Sequence, residues 1–254
     1  MVTGASALMH FLGQVFGWLT TSDHWFGGDG LVHELRQHLQ VSAAALLVAV
    51  VIALPIALVL GHTRRGGVVA INVANAGRAL PTYALLVLAV TVVGISSPRL
   101  LAWTGSAATF FALLVLGIPP ILTNTYVGML EVDRDLVDAA RGVGMNGLQV
   151  LLRVELPVAL PLVMAGVRTA ALGVVATATL ASWTGYDTLG TPINVGIAVS
   201  DNVAVFAGAL VVAALALTVE AGLAGVQRLV VSPGLRDPGS ERSRGGGAGW
   251  GRAR

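Results

Sequence analysis

The chain has 254 residues, 55% hydrophobic and 11% charged, with a mean hydropathy of +0.81 and a formal net charge of +2. Soluble domains keep roughly a quarter of their residues charged, so this composition belongs to an integral membrane protein. All 15 basic residues are arginine and cysteine is absent, which excludes a Walker lysine, a Schiff base, a disulfide, a thiol nucleophile and a cysteine metal site.

Residues 5–20, ASALMHFLGQVFGWLT, are apolar but short for a span, and no positive flank marks a signal peptide. A membrane-surface helix is expected there, with a sixth span left open. The next piece, LVHELRQHLQ, sets Leu31, Leu35 and Leu39 on one face and predicts an interfacial amphipathic helix leading into the membrane. His33 and Glu34 followed by His38 resemble a zincin signature, but the second histidine comes one residue too late to share a helix face. These read as solvated histidines.

Five stretches approach the roughly 20 apolar residues a span requires: 43–60, 68–94, 106–130, 158–183 and 203–226. If the first exits into the cytoplasm at GHTRRGG, the inner side collects Arg64, Arg65, Arg134, Arg141, Arg153, Arg168, Arg228 and the arginines of the tail. The outer side keeps only Arg36 and Arg99. Such an excess fixes the orientation. Trp25, Trp103 and Trp183 then fall near outer ends, as an aromatic belt requires.

Polar residues inside these spans are costly and face protein or water. Asn72, Asn75 and Arg78 precede Pro81 in the second span, where proline removes a helix hydrogen bond and favours a break. They line a pathway, or Arg78 snorkels to the inner headgroups. Asn124, Thr125 and Tyr126 in the third span pose the same choice between pathway and helix–helix hydrogen bonds. The candidate pathway set is Asn75, Arg78, Pro81, Asn124 and Tyr126. Glu220 in the last span reads as paired or snorkelling.

All five histidines, at 10, 24, 33, 38 and 62, precede the second span. That leaves no Ser–His pair within the later spans for a protease and no axial ligands for haem. No catalytic or metal residue is nominated. Residues 1–40 thus form an N-terminal interfacial segment, 41–230 a transmembrane domain, and 231–254, rich in Gly, Pro, Ser and Arg, a disordered basic tail.

The most informative segment is the loop 131–158. In DRDLVDAARGV, Asp133 caps a short helix, acidic residues occupy its first turn, and Leu136, Ala140 and Val143 share a face. Ala139 and Ala140 keep the surface flat. Gly144 ends the helix where positive φ is cheap, MNG continues the turn, and a second short helix, LQVLLRVE, precedes Leu156 and Pro157. Apolar Leu136, Val143, Leu148, Val150 and Leu151 would be poorly hidden without a partner.

The order Asp138-Ala139-Ala140, then Gly144, then Val154-Glu155-Leu156-Pro157 resembles the EAA motif of permease subunits of binding-protein-dependent ABC importers, with Asp for the usual Glu and Val for Ile. The resemblance spans roughly 33–230. LPTYALL, NTYVGMLEVD, RVELPVALPLVMAGVRTA and ATATLASW are similar to the osmoprotectant subgroup, which imports glycine betaine, choline, carnitine or proline. It implies an all-α membrane protein with the type I importer permease fold and about five transmembrane helices. The coupling loop would comprise Asp138, Ala139, Ala140, Gly144, Met145, Asn146, Glu155, Leu156 and Pro157. The implied partners are two cytoplasmic ATPase subunits, a second permease (identical or homologous), an extracytoplasmic binding protein and membrane lipid, with no nucleic acid. ATP and Mg would sit on the ATPase, with no cofactor in this chain, at the bacterial cytoplasmic membrane. Where the subgroup carries Gly-Gly-Leu-Gly after the fourth span, this chain reads TGYDTLG, so Tyr186, Asp187, Leu189 and Gly190 become candidates for docking the binding protein. A methionine- or phosphonate-type permease and a non-transporting scaffold are the alternatives.

The orientation is testable because the chain has no native cysteine. Single cysteines replacing Gly66, Asn146 or Ser240 should react only with membrane-permeant reagents, and those replacing Ser97 or Asp187 should react from outside. Labelling of position 146 from the outer face of intact cells would reverse the topology.

Overall fold

The computed structural model describes residues 4–28, 30–78, 82–93 and 107–232. Among these, all regular structure is helical: α1 (Gly4–Thr20), α2 (Ser22–Phe26), α3 (Leu31–Thr63), α4 (Gly67–Arg78), α5 (Thr82–Val93), α6 (Ala107–Leu130), α7 (Arg134–Gly142), α8 (Gly147–Val150), α9 (Leu156–Ala178), α10 (Thr191–Val199) and α11 (Asn202–Val230). A π turn (Leu151–Glu155) joins α8 to α9, and a 3₁₀ turn (Thr179–Thr184) ends α9. Helices dominate because hydrocarbon offers the backbone no other partner. Four helical segments are long and apolar enough to cross a membrane: Leu31–Thr63, Ala107–Leu130, Gly147–Thr184 and Asn202–Val230. The second apolar stretch is carried by α4 and α5, both too short to cross alone; residues 79–81, including Pro81, lie outside the described set.

The core is α3, α6 and α9. The buried face of α3 repeats a small residue every four positions: Ala45, Ala49, Ala53, Ala57, Gly61. Such a row lets backbones approach closely. A Cβ on Gly61 would stand 2.3 Å from that of Met129 on α6, and one on Gly117 would stand 3.2 Å from that of Ala49. Phe110, Leu113 and Ile121 of α6 fill the seam, with Ala170, Val174 and Ala178 closing it from α9. Pro119 and Pro120 lie inside α6, and Asn124 donates its side-chain amide to the Pro120 carbonyl at 2.8 Å.

The structure departs from the sequence expectations in five places. Residues 31–40 are not a separate interfacial helix: no glycine or proline interrupts the chain before residue 55, and α3 runs unbroken through them. Its buried face there is Leu31, Glu34, His38 and Val41, while Leu39 is 40% exposed. His38 is therefore not solvated; it is fully buried and donates from Nε2 to the Val175 carbonyl of α9 at 3.0 Å. His33 is exposed as expected, beside Gln37. Segment 5–20 packs along α11, with Phe11 edge-on to Phe206 (5.5 Å between ring centres) and Trp18 sharing a cavity wall with Asp201 and Ala204. It lies against the bundle as well as near its outer end.

Arg168, counted above with the inner charges, sits twelve residues into α9, about 18 Å along the axis. There its guanidinium pairs with Glu220 of α11 and donates to Gln227 Oε1 at 2.7 Å. The inner excess of arginine survives its removal. Last, LQVLLRVE is not a helix distinct from the fourth span: α8 passes through the π turn directly into α9. Pro157 supplies no N–H and its ring would crowd the carbonyl of residue 153; the wider turn, with Leu156 N–H reaching Leu151 O, accommodates both.

Close approach of α9 to α6 depends on Gly166, where a Cβ would lie 2.8 Å from the Pro120 carbonyl and 2.9 Å from Asn124 Cβ. A backbone carbonyl cannot yield as a side chain can. Gly166→Val should lower stability by about 1–3 kcal/mol, seen as a reduced melting temperature of the detergent-purified protein. Gly173→Val, at a position with open space, should not.

Candidate functional site

The loop between α6 and α9 is built from short-range bonds. Asp133 accepts from the Asp135 N–H at 2.9 Å and caps α7. The helix closes in a Schellman arrangement: Gly144 N–H reaches Arg141 O at 2.9 Å and Met145 N–H reaches Ala140 O at 3.2 Å. That closure sets Gly144 at φ +90°, which only glycine adopts without strain. Asn146 starts α8 with a capping box, accepting from Gln149 N–H and donating its own N–H to Gln149 Oε1, both at 2.9 Å. The backbone of a solvent-facing turn is thus held without tertiary help.

Packing then divides its side chains. Val137, Ala140 and Val150 are buried, with Met145 and Leu156 packed against them, on Met129, Val132, Ala159 and Val163. Burying an aliphatic side chain of this size at a water-facing site is worth roughly 1.5–3 kcal/mol. Leu136, Val143 and Leu148 point outward at 45%, 77% and 65% exposure. The expected shared face of Leu136, Ala140 and Val143 is therefore split: the inward row of α7 is Val137 and Ala140. Ala139, Asp138, Asn146 and Pro157 are exposed beside the apolar residues. Asp138 reaches Arg141 at 3.9 Å, both exposed, a contact worth little in water. Its carboxylate stays available to a partner.

Glu155 is different. Only 4% exposed, it accepts from His62 Nδ1 at 2.5 Å across from the end of α3. Arg64, the left-handed cap of α3 (φ 53°), donates from Nη2 to the Val132 carbonyl at 3.1 Å. The sequence reading missed His62; its only signal is its place at the inner end of the first span, in GHTRRGG.

Among the described residues, no hydrogen bond joins the candidate pathway residues Asn75, Asn124 and Tyr126 to one another. Asn75 is exposed on α4, with Asn72 beside it. Arg78 ends α4, its side chain lying outside the described residues, as does Pro81. Asn124 is half-buried on its local bond to Pro120 O. Tyr126 is 7% exposed, and its ring occupies the space a Cβ on Gly67 would need.

At the outer end, TGYDTLG folds back on the 3₁₀ turn. Gly185 takes φ +79°, and a Cβ on Gly190 would lie 1.9 Å from the Thr179 carbonyl. Leu189 is fully buried, leaving Asp187 as the exposed member of the four docking candidates. Tyr186 is half-buried, and burial pushes its phenol above the ordinary tyrosine range. Trp183 meets Tyr83 of α5 edge-on, ring centres 6.4 Å apart.

A helical bundle presenting a two-helix loop with an exposed apolar patch is the architecture of an importer's membrane subunit. The family described as binding-protein-dependent transport system inner membrane component matches residues 33–231, and the chain belongs to it. It is therefore a multi-pass inner-membrane permease subunit, whose family works with a binding protein and an ATPase. It is 31% identical to the glycine betaine/carnitine/choline transport system permease protein OpuCB of Bacillus subtilis, over 82% of this chain and 92% of that one. It is 32% identical to the osmoprotectant import permease protein OsmY of Salmonella typhimurium, over 74% and 77%. In three dimensions it resembles the inward-facing MetNI methionine ABC transporter, with TM-score 0.66 and 21% identity over 80% of this chain and 96% of that one. At that identity the likeness speaks for the fold.

Gly144 offers a direct check on the loop. Nothing lies within 4 Å of a Cβ built there, so strain alone opposes substitution inside the protomer, on the order of 1 kcal/mol or more. Gly144→Asp should insert normally into the membrane yet lose transport and co-purify with less ATPase. Full transport by this variant would remove the loop from the coupling role.

Proposed function

We propose that the chain forms half of the translocation pathway of an ATP-driven importer for quaternary ammonium osmoprotectants: glycine betaine, choline, carnitine or proline. The observation that carries the substrate class is the match to permeases named for glycine betaine, choline and carnitine, extending over most of the chain. In this reading the permease pairs with an identical or homologous one, and two ATPase subunits seat on the α7–α8 loops. Leu136, Val143 and Leu148 enter the groove of the ATPase, with Asp138 and Asn146 at its rim. ATP and Mg stay on the ATPase, and this chain holds no cofactor. A binding protein delivers solute at the outer turn around Asp187.

ATP-driven closure of the ATPases draws the loops together and opens the pathway outward; hydrolysis resets it. Asn75, Arg78, Pro81, Asn124 and Tyr126 lie along helices α4 and α6 or between α4 and α5, which this reading places beside the path. Quaternary ammonium solutes suit weak sequential contacts with neutral polar groups, because tight binding would stall release. A methionine-type permease remains the second reading only through the fold likeness.

Uptake by the complete complex in vesicles tests the substrate class. Radiolabelled glycine betaine or choline should enter in an ATP-dependent manner and be competed by carnitine but not by methionine. Competition by methionine alone would favour the second reading.

A further inference from the structure

We propose that His62 is a positioning residue that carries movement of the α7–α8 loop into α3 through its bond to Glu155. The proposal rests on the coupling role of that loop and adds the route by which its motion reaches the first span.

The loop is joined covalently to α6 at its entrance and to α9 at its exit, but not to α3. Yet α3 grips both ends of it. At the entrance, Arg64 Nη2 donates to the carbonyl of Val132, itself 2% exposed. At the exit, 93 residues away in sequence, His62 Nδ1 meets the buried Glu155 carboxylate at 2.5 Å. Between them Gly61 lets Met129 of α6 lie against the α3 backbone. The covalent exit runs through the π turn Leu151–Glu155, a widened turn with one residue more per hydrogen-bonded ring than an α-helix. Glu155 is the last residue of that turn, at the exit of the loop. A bond from there to α3 reaches a helix stiffened by close packing on α6 and α9. A polar cleft of about 270 Å³ between His62, Glu155, Arg64, Arg134, Asp138 and Arg141 gives the pair room to move.

The test uses the complete complex in proteoliposomes, reading ATP hydrolysis and solute uptake separately. His62→Ala should assemble with its ATPase and hydrolyse ATP at near the basal rate, while uptake per ATP falls about tenfold. His62→Asn, whose amide donates from nearly the place of Nδ1, should keep more than about half of it. A purely structural role would lower assembly or hydrolysis in step with uptake. Normal uptake per ATP in His62→Ala, or equal loss in the alanine and asparagine variants, would overturn the proposal. If His62→Ala does not assemble, His62→Asn decides, since its amide keeps a donor facing the Glu155 carboxylate; loss of uptake per ATP in that variant overturns the proposal. Gly144→Asp separates the levels. Blocked transport there beside a normal His62→Ala removes only the strut, and normal transport in both removes the coupling reading itself.

Discussion

The bundle depends on how closely α3 can lie against α6. Lipid gives no hydrophobic drive between helices, so association rests on van der Waals contact over a surface smooth enough to be continuous. Ala45, Ala49, Ala53, Ala57 and Gly61 provide that surface on α3, and Gly117, Gly128 and Gly166 do the same where α6 meets α3 and α9. Everything that positions the functional loop follows from this contact. The inner ends of α3, α6 and α9 come together, the apolar floor of Met129, Val132, Ala159 and Val163 forms beneath the loop, and His62 comes within reach of Glu155.

Against this rigid frame the loop is organised by a different physics. It lies in water, so its backbone groups are closed by local caps: Asp133, the Schellman turn at Gly144, and the Asn146–Gln149 box. Because those bonds are internal, Leu136, Val143 and Leu148 are free to remain outside the core. The loop thus presents an apolar patch on one side while Val137, Ala140 and Val150 anchor its other side on the spans.

The bilayer's penalty on polar groups accounts for two further features. Arg168 and Glu220, on different helices, neutralise each other and recruit Gln227, fastening α11 to α9. His38 spends one nitrogen on the Val175 carbonyl, joining the outer half of α3 to α9. Both bonds span elements far apart in sequence.

Much of the molecule was written in the local sequence. Apolar run lengths located the long helices, and Asp133, Gly144 and Asn146 announced the loop's turns, because caps and positive φ depend on a few adjacent residues. The loop's resemblance to an EAA motif named the family for the same reason. The tertiary structure decided what depends on facing. Leu31, Leu35 and Leu39 looked like an apolar stripe, but the neighbours of α3 bury Glu34 and His38 instead. Leu136, Ala140 and Val143 looked like one face, but Ala140 is buried while Leu136 and Val143 stay exposed. Leu189 and Gly190 looked like surface and are packed against the 3₁₀ turn. Glu155 gained its partner from 93 residues away. Periodicity shows which residues share a helix face, but only the neighbouring helices determine which face is covered.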